Sequence, residues 1–234
     1  MRKILLMFFI IINIFSYGKV NEKNQEKEKI VRVKEESKKS FEKLGMEKFY
    51  KNLNISEELD YKVFEMAMNG YLKIDYKNKE EIIIIDLSKD STEERFFFID
   101  LKEGRVKYKT FVTHGKNSGA EKAVSFSNQP NSFKSSVGFY LTRSHYNGKY
   151  GYSVRLKGLE EGFNSNAIAR GIVIHGAKEA EQKYIDSYGF LGRTEGCPAI
   201  PYGISKKVME DINMNTVLFI YGNDENYFEK SIYL

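Results

Sequence analysis

The sequence predicts a mostly β fold with some α, and three observations carry that expectation. Short apolar runs of strand length recur between residues 82 and 221. Polar or glycine-containing turns separate them. Helical spacing is confined to a few segments, the clearest of which precedes all the strands, giving an α+β layout with an N-terminal helical segment.

Taken in order, Arg2 and Lys3 precede an apolar run from Ile4 to Phe15, interrupted only by Asn13, and then Ser16-Tyr17-Gly18. The order charged, apolar, small is that of a secretory signal over residues 1–18, with cleavage after Gly18. The run is shorter than the roughly 20 apolar residues of a membrane-spanning helix, so contact with a membrane is expected only through this segment if it stays uncleaved. No cysteine lies near the cleavage site, which argues against a lipid anchor. Export to the periplasm or cell envelope follows. Residues 19–44 are dominated by Lys and Glu with few aliphatics, and read as a charged linker, either an unstructured tether or a marginal solvated helix.

Residues 45–234 then form one domain. After Asn54-Ile55-Ser56, the residues Leu59, Val63, Met66 and Ala67 recur at helical spacing, and Asn69-Gly70 ends the pattern. The strands expected beyond it are Ile82–Ile85, Phe96–Ile99, the alternating Val106–Val112, then Val137–Leu141, Tyr152–Leu156, Gly171–His175 and Thr216–Tyr221. Lys178–Tyr188 reads as a short helix between the last two. No internal repeat is present.

Composition narrows the function. At 234 residues, 41% hydrophobic and 14% aromatic, the chain can build one sizeable core. Its formal charge of +5 includes Arg2 and Lys3, and the surplus is too small to indicate nucleic acid. Three dispersed histidines and one cysteine have no metal-ligand spacing, and no phosphate-cradling glycine loop appears, so neither metal nor cofactor is expected.

The single cysteine stands in Gly192-Arg193-Thr194-Glu195-Gly196-Cys197-Pro198, downstream of Ile172-Val173-Ile174-His175-Gly176. A lone thiol in an exported chain is either an inert packed residue or a nucleophile paired with a histidine. The flanking glycines favour the nucleophile, because Gly196 lets backbone N–H groups approach a reacting carbonyl. A neighbouring imidazole activates a thiol whose ordinary pKa is about 8.5. His175 ends an apolar strand that would hold its ring, and the Gly176 carbonyl is placed to accept from the second ring nitrogen. The amides of Glu195, Gly196 and Cys197 then supply an oxyanion hole.

These motifs resemble the active-site signature of L,D-transpeptidases of the YkuD type, and most closely the murein L,D-transpeptidase catalytic domain proteins. The resemblance covers roughly Leu53 to Tyr202. It takes in Val112-Thr113-His114-Gly115-Lys116-Asn117-Ser118-Gly119, Ser125-Phe126-Ser127-Asn128 and Arg170-Gly171-Ile172-Val173-Ile174-His175-Gly176-Ala177. It also takes in Ser136-Val137-Gly138-Phe139-Tyr140, which matches the family's cleft-lining segment without its proline. The resemblance implies a YkuD-like β-sandwich with the thiol and imidazole in a cleft. It implies Cys197 as nucleophile, His175 as general base and Gly176 as the orienting carbonyl. The implied reaction is thiolate attack between the third and fourth residues of a peptidoglycan stem, giving a thioester that an acceptor amine resolves into a cross-link. Resolution by water instead makes an L,D-carboxypeptidase or endopeptidase, and a silent murein-binding domain is the alternative of a different class. The chain departs from many members at Glu195, where they carry His, and at Pro198-Ala199, where they carry Asn or Arg.

Among further candidates, Arg193 either binds a stem carboxylate with its fork of donors or is an exposed loop residue. His114 either lines the cleft with Tyr140 or caps a hairpin. His145 reads as a turn residue, Arg170 as structural, and Asn117-Ser118-Gly119 as a tight turn.

Overall fold

A computed structural model describes residues 44–234. The expected signal, 1–18, and the linker, 19–44, lie outside the described residues apart from Leu44 at the linker's end. Residues 44–52 are helical (α1). Phe49–Leu234 forms one compact unit.

Helix α2 spans Tyr61–Lys73. It begins at Asp60, whose Oδ1 accepts the Lys62 backbone N–H at 2.6 Å, an N-cap that satisfies one orphan donor of the first turn. Leu59 is therefore buried just outside the helix. The expected stop at Asn69-Gly70 is corrected: the helix runs on to Lys73. Gly70 serves packing, since a Cβ there would lie 2.0 Å from Phe139 Cζ.

Eight strands follow: β1 (Glu81–Asp86), β2 (Phe96–Asp100), β3 (Arg105–Thr110), β4 (Gly138–Gly148), β5 (Gly151–Gly158), β6 (Val173–Ala177), β7 (Ala199–Pro201) and β8 (Val217–Tyr221). They pair in the order β3-β2-β1-β8-β4-β5-β6-β7. The β1–β8 and β6–β7 pairs are parallel and the others antiparallel. Every residue of β1 and β8 is buried, as central strands covered on both faces require. Ile83 and Ile85 enter one core cluster with Phe96, Phe98, Leu156, Ile174, Ile200 and Met209. The opposite face carries Phe139, stacked on Phe219 at 4.4 Å and met edge-on by Tyr233. Complete burial of Phe139 contributes about 2 kcal/mol.

The sheet curls, because one cluster holds side chains from β2 and from β6 and β7 at the other end of the ladder. The chain leaving β3 joins the two ends. Thr113 N–H donates to Ala199 O at 2.9 Å, Ala199 N–H donates to Thr113 Oγ1 at 3.1 Å, and Gly115 bridges Thr194. This is the mostly β architecture with added helices that the sequence predicts.

Three details depart from it. The hairpin of β4 and β5 reaches well past Leu141, so His145 lies in a strand, stacked on Tyr152 and hydrogen-bonded through Nε2 to Met209 O at 2.8 Å. Lys178–Tyr188 divides into a 3-10 turn (Lys178–Ala180) and helix α3 (Gln182–Tyr188), because Glu181 is extended. Strand β7 and helices α4 (Tyr202–Asp211) and α5 (Glu225–Lys230) have no counterpart in the sequence reading.

Candidate active site

The parallel pairing of β6 with β7 sets His175 opposite Ala199, and His175 N–H donates to Pro198 O at 3.4 Å. Cys197, two residues before Ala199, is thereby carried to the flank of β6. There its thiol donates towards Gly171 O at 3.7 Å. The half-buried Cys197 and His175 both line one cavity of about 830 Å³.

The imidazole is fixed on two sides. Its Nδ1 lies 3.0 Å from Gly176 O. A carbonyl is an acceptor only, so the ring hydrogen sits on Nδ1 and Nε2 keeps a free lone pair. Tyr150, at the tip of the β4–β5 hairpin, stacks on the ring at 4.3 Å and 19°. Burial lowers the His175 pKa, opposed by the Gly176 carbonyl and by Glu179. Burial raises the Cys197 thiol, opposed by the Val173 N–H and by the Arg170 guanidinium. Both shifts favour the uncharged forms, thiol and imidazole.

The loop before the thiol is tightly specified. Gly196 has φ +119, and a Cβ there would lie 2.7 Å from Lys134 O and 3.0 Å from Arg170 Nη2. Only glycine meets both the backbone angle and the space. Thr194 Oγ1 donates to Cys197 O at 2.6 Å and accepts the Gly196 N–H at 3.2 Å. Gly196 N–H is thus engaged within the loop and is not free for an oxyanion, which corrects that part of the expectation. Glu195 meets Lys116 at 3.5 Å, both largely exposed at the cavity rim. Its carboxylate has only a minor upward influence on the thiol.

The remaining expected site residues separate. Arg193 lines the cavity, its Nη1 3.4 Å from Gly119 O. His114 does not: it is 1% exposed, its Nδ1 2.9 Å from Arg95 Nη2 and its Nε2 3.3 Å from Gly119 O. Tyr140 is fully buried, its hydroxyl donating to Ser136 O at 3.0 Å. Neither side chain reaches the cavity, because both turn inward where their polar atoms find backbone or guanidinium partners. The substrate-binding expectation for these two is corrected.

A family model described as L,D-transpeptidase catalytic domain matches residues 55–221. The chain belongs to that family. No curated protein matches this L,D-transpeptidase catalytic domain chain. Similar solved structures include an L,D-transpeptidase from Mycobacterium smegmatis, 12% identical, with 61% of this chain and 59% of that chain covered and a TM-score of 0.39. L,D-transpeptidase 3 from Mycobacterium tuberculosis, in complex with a faropenem-derived adduct, is 10% identical, with 61% and 60% covered and a TM-score of 0.41. An L,D-transpeptidase from Stackebrandtia nassauensis is 14% identical, with 77% of each chain covered and a TM-score of 0.39. The chain spans about three-fifths of the length of the first two.

Other lining residues of this family member were not singled out by sequence reasoning: Tyr150 against the imidazole, Lys149 beside it, and Tyr202 at the start of α4. Arg170, read there as structural, is both structural and a wall of the cavity. It donates to Ser127 O at 2.7 Å, Ser136 Oγ at 2.6 Å and Lys134 O at 2.6 Å. Glycines on either side of Lys149-Tyr150, Gly148 and Gly151, were the signal available for Tyr150, since they close a two-residue hairpin loop.

Proposed function

We propose that this chain is a cysteine-dependent acyltransferase of peptidoglycan stems, an L,D-transpeptidase. The observation that carries the reading is one cavity onto which Cys197 and an imidazole of fixed tautomer both open. His175 Nε2 takes the thiol proton as sulfur attacks the carbonyl carbon between the third and fourth stem residues. The oxyanion is stabilised by the backbone N–H groups of Cys197 and Glu195, with Thr194 holding the loop that presents them. Collapse breaks the C–N bond, and His175 returns its proton to the departing amine of the terminal D-residue. The thioester on Cys197 is then attacked by an acceptor amine, which gives its proton to Nε2. An amide forms, and the thiol is regenerated. Arg170 and Arg193 supply positive charge along the wall for stem carboxylates.

The uncharged forms that burial favours suit this route, because proton transfer accompanies attack and no standing thiolate is required. The reading extends to location: residues 1–18 direct export, 19–44 tether the domain, and the enzyme works in the periplasm or cell envelope. The test is intact-mass spectrometry of the protein with purified tetrapeptide-bearing muropeptides, alongside Cys197→Ala. A thioester adduct on Cys197 with cross-linked dimer accumulating is expected. Tripeptide alone makes the enzyme a carboxypeptidase, and a folded protein that binds murein without adduct or turnover is a binding module.

A further inference from the structure

Beside the cavity lies a second, more open groove of about 410 Å³. It shares Lys178 and Tyr202 with the cavity, so one extended ligand can occupy both. The rest of its wall is mostly α3, and that helix is unusual in contributing no buried side chain. Its end is fixed locally, by Gly189 at φ 81 with its N–H on Ile185 O at 2.7 Å. Tyr184 and Tyr188, one turn apart, face each other at 4.4 Å with a 37° tilt. Tyr188 is 62% exposed and Tyr202 55%. Three aromatic rings in one groove, two of them on a helix without a fully buried side chain and the third at the start of α4, are the mark of a binding surface.

The chemistry of the groove selects its occupant. Tyrosine rings offer flat, electron-rich faces that complement the C–H faces of a pyranose. Lys183, Ser187 and Glu181 flank them with donors and acceptors suited to hydroxyl and acetamido groups. None of the lining residues belongs to a strand, so the groove presents no open sheet edge to which an extended peptide would add. If attack falls between the third and fourth stem residues, three residues separate the thiol from the sugar that bears the stem, and the shared Lys178 and Tyr202 make the groove continuous with the cavity along which that stem would run.

We propose that Tyr184, Tyr188 and Tyr202 form a stacking subsite for an N-acetylated aminosugar of the glycan strand, so that the enzyme reads the sugar as well as the stem. This rests on the acyl-transfer reading of the cavity. It is tested on the full chain with two donors, a disaccharide-tetrapeptide and the same tetrapeptide without sugar. Wild type is expected to favour the sugar-bearing donor in kcat/KM by about threefold to tenfold. The double variant Tyr184→Ala/Tyr188→Ala should erase that preference and leave the sugar-free rate unchanged, while Tyr188→Phe keeps it. An equal fall on both donors, or no preference in wild type, overturns the proposal. Binding of an N-acetylglucosamine tetramer, followed by calorimetry, needs no turnover. If wild type turns over neither donor, the acyl-transfer reading fails, and the tetramer then decides the subsite alone. Binding that the double variant loses supports it, and no binding by wild type overturns it. Thermal unfolding of the variants should match wild type, since α3 contributes no fully buried side chain.

Discussion

Arg95 Nη2 donates to His114 Nδ1 at 2.9 Å, both side chains within 1% of complete burial, and the backbone of His114 meets the loop that carries Cys197. The same guanidinium donates twice to Val112 O, at 3.0 and 2.8 Å, and once to Lys89 O at 2.8 Å. His114 in turn accepts the Thr194 N–H on its carbonyl at 2.9 Å, and Thr194 holds Cys197 O. A buried cation is thereby linked through three hydrogen bonds to the backbone carbonyl of Cys197.

The pair makes stability depend on pH. Burial, then the Arg95 charge, pulls His114 from 6.5 to about 4. The folded protein therefore resists a proton that the unfolded chain accepts, so this contribution is complete above about pH 6.5 and is lost as pH falls towards 4. Between pH 7 and pH 5 the loss should be about 2 kcal/mol. His114→Gln keeps an acceptor for Arg95 without titrating, and its urea unfolding should lose correspondingly less over the same interval. Equal losses in the two proteins would remove His114 as the source.

Thr194→Val preserves shape but removes the hydroxyl that joins Gly196 N–H to Cys197 O. The expected result is acylation of Cys197 up to about 100-fold slower, with the fold retained. Single-turnover mass spectrometry reads this directly. Wild-type acylation would show that the loop holds its shape without Thr194.

Tyr150→Ala uncovers the His175 ring. Since burial is the main cause of its lowered pKa, exposure should raise that pKa, and the acid limb of the acylation rate should move to higher pH. Tyr150→Phe retains the stack and should retain the profile. An unchanged limb in the alanine variant would mean that the cavity walls alone desolvate the ring.

Gly70→Ala should destabilise. The overpacking against Phe139 costs about 1–3 kcal/mol, more than the roughly 1 kcal/mol that alanine returns in helix propensity. Combining it with Phe139→Leu should give a sum smaller than the two separate losses. Urea unfolding of the three proteins measures the coupling, and strict additivity would contradict the contact.

Much of this fold was legible because its strands are continuous apolar runs, as in Ile82–Ile85 and Phe96–Ile99, where burial on both faces leaves little ambiguity. The Cys197 and His175 motifs were legible because glycine beside a thiol, and a strand ending in His-Gly, are local patterns. What escaped was decided by partners distant in sequence. Gly70 looked like a helix stop until Phe139 was found against it. His114 and Tyr140 carry the right chemistry for a cleft, and only the location of Arg95 and Ser136 shows that they face inward. Strand β7 spans three residues, too few to show a period.

The parallel pairing of β6 and β7 has a consequence for how this domain can change. The chain leaves the sheet just after His175 and returns just after Cys197, so the whole excursion between them is anchored at both ends by one set of backbone hydrogen bonds. Its outer part, α3, can be lengthened, shortened or exchanged without shifting either anchor, because it lends no fully buried side chain to the interior. On the proposed reading of the cavity and groove, chemistry and recognition are then separable modules, and a segment grafted across residues 182–189 would redirect the enzyme to another polymer.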